Sequence, residues 1–284
     1  MLFLLLAVAA AAVDVPWPLT QLPVTRGGAS KATTVVLTDF GGIADGKTDN
    51  NGAFMQAFAH LAASGGGTLV VPHSNRTAAE SVYSSTNILF GNMSSITLRL
   101  EAHVRVKALT DGVLDGKWGA VAPWGNGIDG TALQYAPVLH AYNVTDFVIE
   151  GTGVIDGDGY WWYTNAGSKS NPGSNKLKYQ RPRLVVIEAC NRVRLSNFTV
   201  ANSPYWTLVL YLTEDVHISG VVVRNPSGGK GSCAGGAFPE GECFGPNADG
   251  IDVVSSQRVL VEDTDIVAGD DCICIKSGTW TNTL

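Results

Sequence analysis

Three carboxyl groups stand close together near the C-terminal end of the sequence. Asp249 belongs to an Asn-Ala-Asp-Gly turn, and Asp270, which follows it by 21 residues, shares a Gly-Asp-Asp turn with Asp271. Like charges at short range raise the pKa of at least one carboxyl group, so the cluster offers both a protonated acid and an ionised base. Glycoside hydrolysis requires that division of roles. Either turn alone is a common structural feature, so only their spacing makes the cluster a candidate catalytic site.

Each acidic turn leads into a short apolar segment that is typical of a strand, at 251–254 and 272–275. Two strands that stack in parallel are about 4.8 Å apart. If one coil of chain connects them, Asp249 lies beside Asp270 and Asp271 at the edge where both strands begin. The predicted site therefore requires a fold in which successive coils of about 21 residues stack with their strands in parallel.

Strand-like segments recur along the chain at intervals that support such a fold. One set begins at Ile96, Phe147, Val193, Val216 and Val259, and a second set at 184–187, 207–210, 251–254 and 272–275 keeps step with it. Intervals of about 20 to 25 residues that each carry two or three short strands indicate a parallel β-helix. We therefore predict an all-β, single-stranded, right-handed parallel β-helix, which is a solenoid. Longer intervals hold insertions at 157–183 and 225–246, which we expect to project as walls.

Other architectures explain this pattern less well. A β-sandwich or a propeller needs turn signals such as Asn-Gly between adjacent strands, and none links these segments. An α/β fold would need crossover helices between the strands, and the sequence does not supply them.

The sequence predicts three successive regions. Residues 1–12 are an apolar run that ends in small residues, as a secretory signal peptide does, and residues 13–34 predict an extended leader. Residues 35–284 form the predicted β-helix domain. Its first coil is covered by a helix that Thr48 or Asp49 caps, that has Phe54 and Phe58 on one face, and that ends at three consecutive glycines. The Asn-x-Ser/Thr sequons fit a secreted glycoprotein, and they lie at Asn75, Asn92, Asn143 and Asn197.

Composition excludes several classes of partner. The formal net charge is −6 and only 15% of the residues are charged, with no basic stripe, so we expect no nucleic acid partner. The leading apolar run is too short to span a bilayer, and we expect no membrane association and a monomer. Five cysteines are present, of which Cys233 and Cys243 bracket a Gly-rich loop and predict a local disulfide. Their spacing does not indicate a zinc site.

Several motifs together resemble the polygalacturonase family of glycoside hydrolases. The acidic turns resemble its Asn-Thr-Asp-Gly and Gly-Asp-Asp motifs, except that Ala248 replaces the threonine, which removes a hydroxyl that could orient Asp249. The stretch 151–162 resembles its Gly-x-Gly-x-Ile-Asp-Gly…Trp-Trp signature, and 181–208 resembles its Arg-Pro…Asn-Ser-Pro-x-Trp segment. The resemblance covers about residues 35 to 278. The later Gly-His-Gly and Arg-x-Lys motifs do not follow Gly278, so we expect C-terminal coils to be missing and this chain by itself to be a poor enzyme.

The resemblance implies a secreted hydrolase of α-1,4-galacturonosyl bonds in pectin, acting with inversion and without a cofactor or metal. Asp270 would protonate the glycosidic oxygen while Asp249 and Asp271 activate water, and Asn247 and Lys276 are candidate substrate contacts. Relatives pair the cysteine at position 272 with one beside the later Gly-His-Gly motif.

Two alternatives remain open. One is a non-catalytic β-helix that binds cell-wall polysaccharide, and the other is a calcium-dependent lyase in which the acids bind metal. The remaining candidate residues favour structural roles. Asp156 and Asp158 indicate a turn, Trp161 and Trp162 a packed core rather than a sugar platform, and the five histidines lie outside the acidic motifs.

Overall fold

The structure, a computed structural model, describes residues 33–74, 80–121, 133–166, 176–227 and 245–276. The predicted signal peptide and leader therefore lie outside the described residues, apart from positions 33 and 34. The described ranges contain a short 3-10 helix at Leu37–Phe40 and two α-helices, α1 (Asn51–Ala63) and α2 (Gly159–Ala166). Among these residues, no helix is long and apolar enough to cross a membrane.

Short strands make up most of the described chain. In order they are β1 (Thr33–Val36), β2 (Gly67–Val71), β3 (Ser81–Ser85), β4 (Ile88–Leu100), β5 (Val104–Ala108), β6 (Ala120–Val121), β7 (Gln134–Tyr135), β8 (Leu139–Gly151), β9 (Val154–Asp156), β10 (Val185–Glu188), β11 (Asn191–Ser196), β12 (Thr199–Ala201), β13 (Leu208–Tyr211), β14 (Glu214–Ser219), β15 (Val222–Arg224), β16 (Ile251–Val254), β17 (Gln257–Glu262), β18 (Asp265–Val267) and β19 (Ile273–Lys276).

The strands form three parallel faces that wind around one core. The front face contains β10, β13, β16 and β19, preceded by the first halves of the long strands β4 and β8. The side face contains β1, β2, the second halves of β4 and β8, and then β11, β14 and β17. The back face runs β3-β5-β9-β12-β15-β18, and only the short β6–β7 pair among the described strands is antiparallel. The predicted right-handed parallel β-helix is confirmed.

The corner between the front and side faces is built from residues in left-handed backbone conformation. Five positions that stack on one another share φ values between 48° and 56°: Asn92, Asn143, Ala189, Leu212 and Ser255. This region is costly for a residue with a Cβ, especially a bulky one such as leucine. The ladder bonds on both sides of the corner hold the backbone there, so the solenoid itself determines the turn.

Helix α1 covers the first coil, as the sequence predicts. Phe54 and Phe58 are buried, and the Phe58 ring stacks on Phe90 of β4 with centroids 3.9 Å apart. The N-cap of α1 is Asn50 and not the expected Thr48 or Asp49, and no side-chain hydrogen bond from Asn50 caps the helix. Asp49 accepts a hydrogen bond from the backbone N–H of Asn51 at 3.0 Å, one position before the cap. The helix ends before Gly65, whose φ of 77° suits glycine.

The first expected insertion, 157–183, differs from the prediction. Residues 159–166 do not project as a wall but form α2, whose Trp162 is fully buried. The Trp162 ring lies 5.2 Å from that of Trp118 and 5.3 Å from that of Tyr135. The aromatic side chains that follow the Gly-rich turn bury too much apolar surface to remain in solvent. Most of the second insertion, 228–244, lies outside the described residues, and so do Cys233 and Cys243.

Candidate active site

The two acidic turns lie side by side at the start of neighbouring front-face strands. Ile251 of β16 is paired with Ile273 of β19, and the Gly250 N–H donates to the Asp271 carbonyl at 2.9 Å. Asp249 and Asp271, each two residues before its strand, therefore occupy the same position on successive coils. The strand expected at 272–275 begins one residue later, at Ile273, which leaves the acids on the rim.

The glycines of the two motifs allow the coils to approach each other closely. A Cβ on Gly250 would lie 2.4 Å from the Cys272 carbonyl oxygen and 2.7 Å from Cγ2 of Ile266. A Cβ on Gly269 would lie 2.3 Å from the Gly245 carbonyl oxygen. Neither glycine has the positive φ that a left-handed turn would require. Their role is thus close packing between coils, and not the turn chemistry that Asp-Gly and Gly-Asp dipeptides usually indicate.

Asp270, like Asp271, is exposed. Its Oδ2 accepts a hydrogen bond from Nδ2 of Asn247 at 3.4 Å, and its Oδ1 accepts one from the Asp271 N–H at 3.0 Å. Asn247 is itself exposed and has a φ of 56°. The amide of one turn therefore orients the carboxylate of the next, on the side open to solvent.

Asp249 lies in a very different environment. Only 5% of its surface is exposed, and its Oδ2 lies 3.4 Å from Sγ of Cys274 and 3.5 Å from Nζ of Lys276. Its Oδ1 has no hydrogen-bond partner among the described residues. Burial raises the pKa of Asp249 above its usual value, although Cys274 and Lys276 oppose the shift. Two carboxyl groups one coil apart thus differ strongly in exposure.

The thiol of Cys274 contacts acids of both coils. Its Sγ lies 3.4 Å from Oδ2 of Asp249 and 3.3 Å from Oδ2 of Asp271. Burial and the neighbouring carboxylates raise the pKa of the Cys274 thiol to about 12. The thiol therefore stays protonated at neutral pH and can donate to either carboxylate, so Asp249 and Asp271 open onto the same space.

A second buried acid, Asp252, lies in β16 behind this space. Asp252 is fully buried, and burial raises its pKa to about 7 even though it accepts a hydrogen bond from Nζ of Lys276. Lys276 also lies 3.9 Å from the centre of the Trp206 ring. Burial alone would lower the pKa of Lys276, but its hydrogen bond to Asp252 outweighs that effect and raises it. Lys276 is thus held among two acids and an indole.

Two arginines in the preceding coils form contacts that stabilise the fold around the site. Arg183 is buried against the Trp206 ring, 4.6 Å from its centre, and donates to Oε1 of Gln134; burial lowers its pKa to about 10. Arg181 donates to the carbonyls of Pro204 at 2.6 Å and Pro246 at 2.8 Å. The second bond ties down the turn that carries Asn247 and Asp249, so Arg181 supports the site from behind.

The donor set could in principle hold a cation. Single ligand atoms of Asp249, Asp252 and Cys274 lie within 4.8 Å of one another. The ammonium of Lys276 contacts both of these carboxylates. A divalent ion would have to displace that ammonium and the proton of a thiol whose pKa is high.

The structure brings together the predicted acids Asp249, Asp270 and Asp271 with Asn247 and Lys276. Their catalytic and substrate-binding roles stay predictions. Sequence reasoning missed Asp252, Cys274 and Trp206. A signal for Asp252 was present. Side chains alternate between the two faces of a strand, so Asp252 lies on the face opposite Ile251 and Val253, in register with Cys274.

Comparison with known proteins decides the family. The model of Glycosyl hydrolases family 28 matches residues 68–283. The chain belongs to this family. The family-28 chain is 32% identical over 256 residues to a probable polygalacturonase of Vitis vinifera, covering 87% of this chain and 45% of the relative. It is 27% identical over 253 residues to a polygalacturonase of Chamaecyparis obtusa, covering 89% and 42%. It thus spans about half the length of these curated relatives.

Solved structures agree with this family-28 assignment. An exopolygalacturonase from Thermotoga maritima superposes with a TM-score of 0.67 at 26% identity, covering 87% of this chain and 55% of that one. The polygalacturonase of Erwinia carotovora superposes with a TM-score of 0.60 at 22% identity, covering 87% and 58%. The second likeness supports the fold alone. The resemblance that the sequence motifs carry is confirmed.

Proposed function

We propose that this protein hydrolyses α-1,4-galacturonosyl bonds of pectic polysaccharide with inversion at the anomeric carbon. One observation carries the proposal, which is the placement of Asp249 and Asp271 in one register on successive coils with Asp270 exposed beside them. Family membership and the polygalacturonase relatives support the substrate class. We propose this activity for the protein at its natural length.

The hydrogen-bond partners of the three acids divide their roles. Asp270 is open to solvent and oriented by Asn247, so it can reach a glycosidic oxygen and donate a proton to it. Asp249 and Asp271 share the contact with Cys274 and can together orient and deprotonate a water molecule. An inverting site needs room for that water, with acid and base carboxyl groups about 6.5 to 9.5 Å apart.

Product analysis on defined oligogalacturonides tests the proposal. We expect new reducing ends, an initial product of inverted anomeric configuration by proton NMR, and no ultraviolet-absorbing unsaturated product. A chelator should have no effect, and Asp270→Asn serves as the inactive control. An absorbing product that a chelator suppresses would replace the hydrolase with a lyase. Binding of the oligosaccharides without any product would replace it with a non-catalytic wall-binding protein.

We also propose that the protein is secreted and acts as a monomer. The apolar run 1–12 and the four sequons support secretion. N-terminal sequencing of protein recovered from the culture medium is expected to begin just after this run. Sedimentation at working concentration is expected to give the mass of one glycosylated chain.

A further inference from the structure

Among the described residues, Lys276 is the cation that forms an ion pair with the candidate catalytic acid Asp249, and its contacts are with buried groups. Its Nζ is hydrogen-bonded to Oδ1 of Asp252, lies 3.5 Å from Oδ2 of Asp249, and lies 3.9 Å from the centre of the Trp206 ring. Only 23% of the lysine side chain is exposed. The directions in which an ammonium group can donate are therefore largely used by the protein itself.

The partner of Lys276 is an acid that the hydrolytic mechanism does not use. Asp252 is fully buried, and its Oδ2 has no hydrogen-bond partner among the described residues. A buried carboxylate is strongly unfavourable unless a cation or several donors compensate it. A hydrophobic residue at this outward position would pack on the neighbouring Val209 without that cost. The stability of the fold therefore does not explain why Asp252 and Lys276 are paired here.

Geometry links the pair directly to catalysis. Asp249 lies two residues before β16 and Asp252 lies within it, and Lys276 contacts both of them from the next coil. The lysine and Cys274 therefore both contact the same oxygen of Asp249, Oδ2, and Cys274 also contacts Asp271. A sugar carboxylate approaching Lys276 would meet two negative groups at the same place.

We propose that the hydrogen-bonded Asp252–Lys276 pair is a positioning device that fixes the Asp249 carboxylate in its ionised form and is not a contact for the substrate. Asp252 anchors the ammonium, and the anchored ammonium orients Asp249. This inference rests on the proposed hydrolytic function of the same site.

The charge of Lys276 should affect the pH at which Asp249 loses its proton. Burial already raises the pKa of Asp249, and the charge of Lys276 opposes that rise. Without the lysine, Asp249 would protonate at higher pH and could no longer take a proton from water. The titratable and charged groups that face Asp249 and Asp252 are Cys274, Lys276, Asp270, Asp271, Tyr205 and Arg183.

Kinetics of Lys276→Met across pH provide the test. We expect kcat to fall about ten-fold or more, KM to change less than about two-fold, and the acidic limb of kcat/KM to move up by about one pH unit. Lys276→Arg keeps the charge and should restore the position of the limb. Lys107→Met is the matched control, because Lys107 forms an ion pair with Asp158 on the back face, 3.2 Å away, and should leave all three quantities unchanged.

A contrary result is easily recognised. If Lys276→Met raised KM ten-fold or more while kcat and the acidic limb stayed in place, Lys276 would bind the substrate and the inference would be overturned.

Carboxyl carbon NMR titration separates this failure from failure of the proposed function. In protein labelled at aspartate, Lys276→Met should raise the apparent pKa of Asp249, whether or not the protein hydrolyses any pectic substrate. An unchanged titration would overturn the inference even for an active enzyme. If Lys276→Met does not fold, Lys276→Gln gives the decisive titration, because it removes the charge and keeps a hydrogen-bond donor for Asp252. The apparent pKa of Asp249 must then rise, and an unchanged pKa would overturn the inference.

Discussion

Replacing Asp252 by asparagine should change how the stability of the protein depends on pH. Burial raises the pKa of this carboxyl group from 3.8 to about 7. The folded protein therefore binds the proton of Asp252 more tightly than the unfolded chain does. The stability that this proton contributes is fully present below about pH 4 and is lost as the pH rises through about 7. Since each pKa unit corresponds to about 1.4 kcal/mol, the loss is at most about 4 kcal/mol.

Urea unfolding at several pH values between 4 and 8 measures this loss. In Asp252→Asn the free energy of unfolding should fall less between pH 4 and pH 7 than in the unsubstituted protein, by up to about 4 kcal/mol. Asp265→Asn is a suitable control, because Arg224 lowers the pKa of that exposed aspartate below the window. Parallel pH profiles for the Asp252→Asn and unsubstituted proteins would show that Asp252 is ionised throughout and would refute the reasoning.

Three further substitutions test the acid, the core and the coil packing. Asp270→Asn should reduce kcat by about two to four decades and leave the circular dichroism spectrum unchanged; retention of a third of the rate would remove Asp270 from the mechanism. Phe58→Ala should cost about 3 to 5 kcal/mol of stability in urea, whereas Met55→Ala on the exposed side of α1 should cost little. Gly250→Ala should lower both the melting temperature and kcat, because its Cβ would lie 2.4 Å from the Cys272 carbonyl oxygen. Gly52→Ala, with open space around its Cβ in α1, should be neutral or stabilising by up to about 1 kcal/mol; equal losses for the two glycines would contradict the packing argument.

The sequence predicts this site well because a solenoid converts intervals along the chain into neighbours in space. The spacing between Asp249 and Asp270 is close to one coil, and that alone places the acids together. Period-two alternation predicts the strands. The order of the motifs predicts the family. The helix that covers the first coil follows from the spacing of Phe54 and Phe58.

Other features depend on tertiary contacts that sequence patterns do not show. Lys276 is indistinguishable from a surface lysine until the neighbouring coil brings Asp252 within hydrogen-bond distance of it. Ala189 and Leu212 adopt a left-handed conformation that their residue types disfavour, because the adjoining ladders impose it. Helix α2 forms in a stretch whose glycines and asparagine suggest a loop, because burial of Trp162 outweighs that local preference.

The unequal lengths of the coils have a consequence for how such a protein can change. Leu208 of β13 pairs with Ile251 of β16, 43 residues later, and Ile251 pairs with Ile273 only 22 residues later, yet the strand register is the same. Extra chain therefore leaves the coil at its corners without shifting the acids along their strands. The connections beside the acids can therefore be lengthened or shortened while the arrangement of the acids stays the same. Mutations in these connections can then alter which sugar is bound without moving the acids, which lie on other segments of the chain.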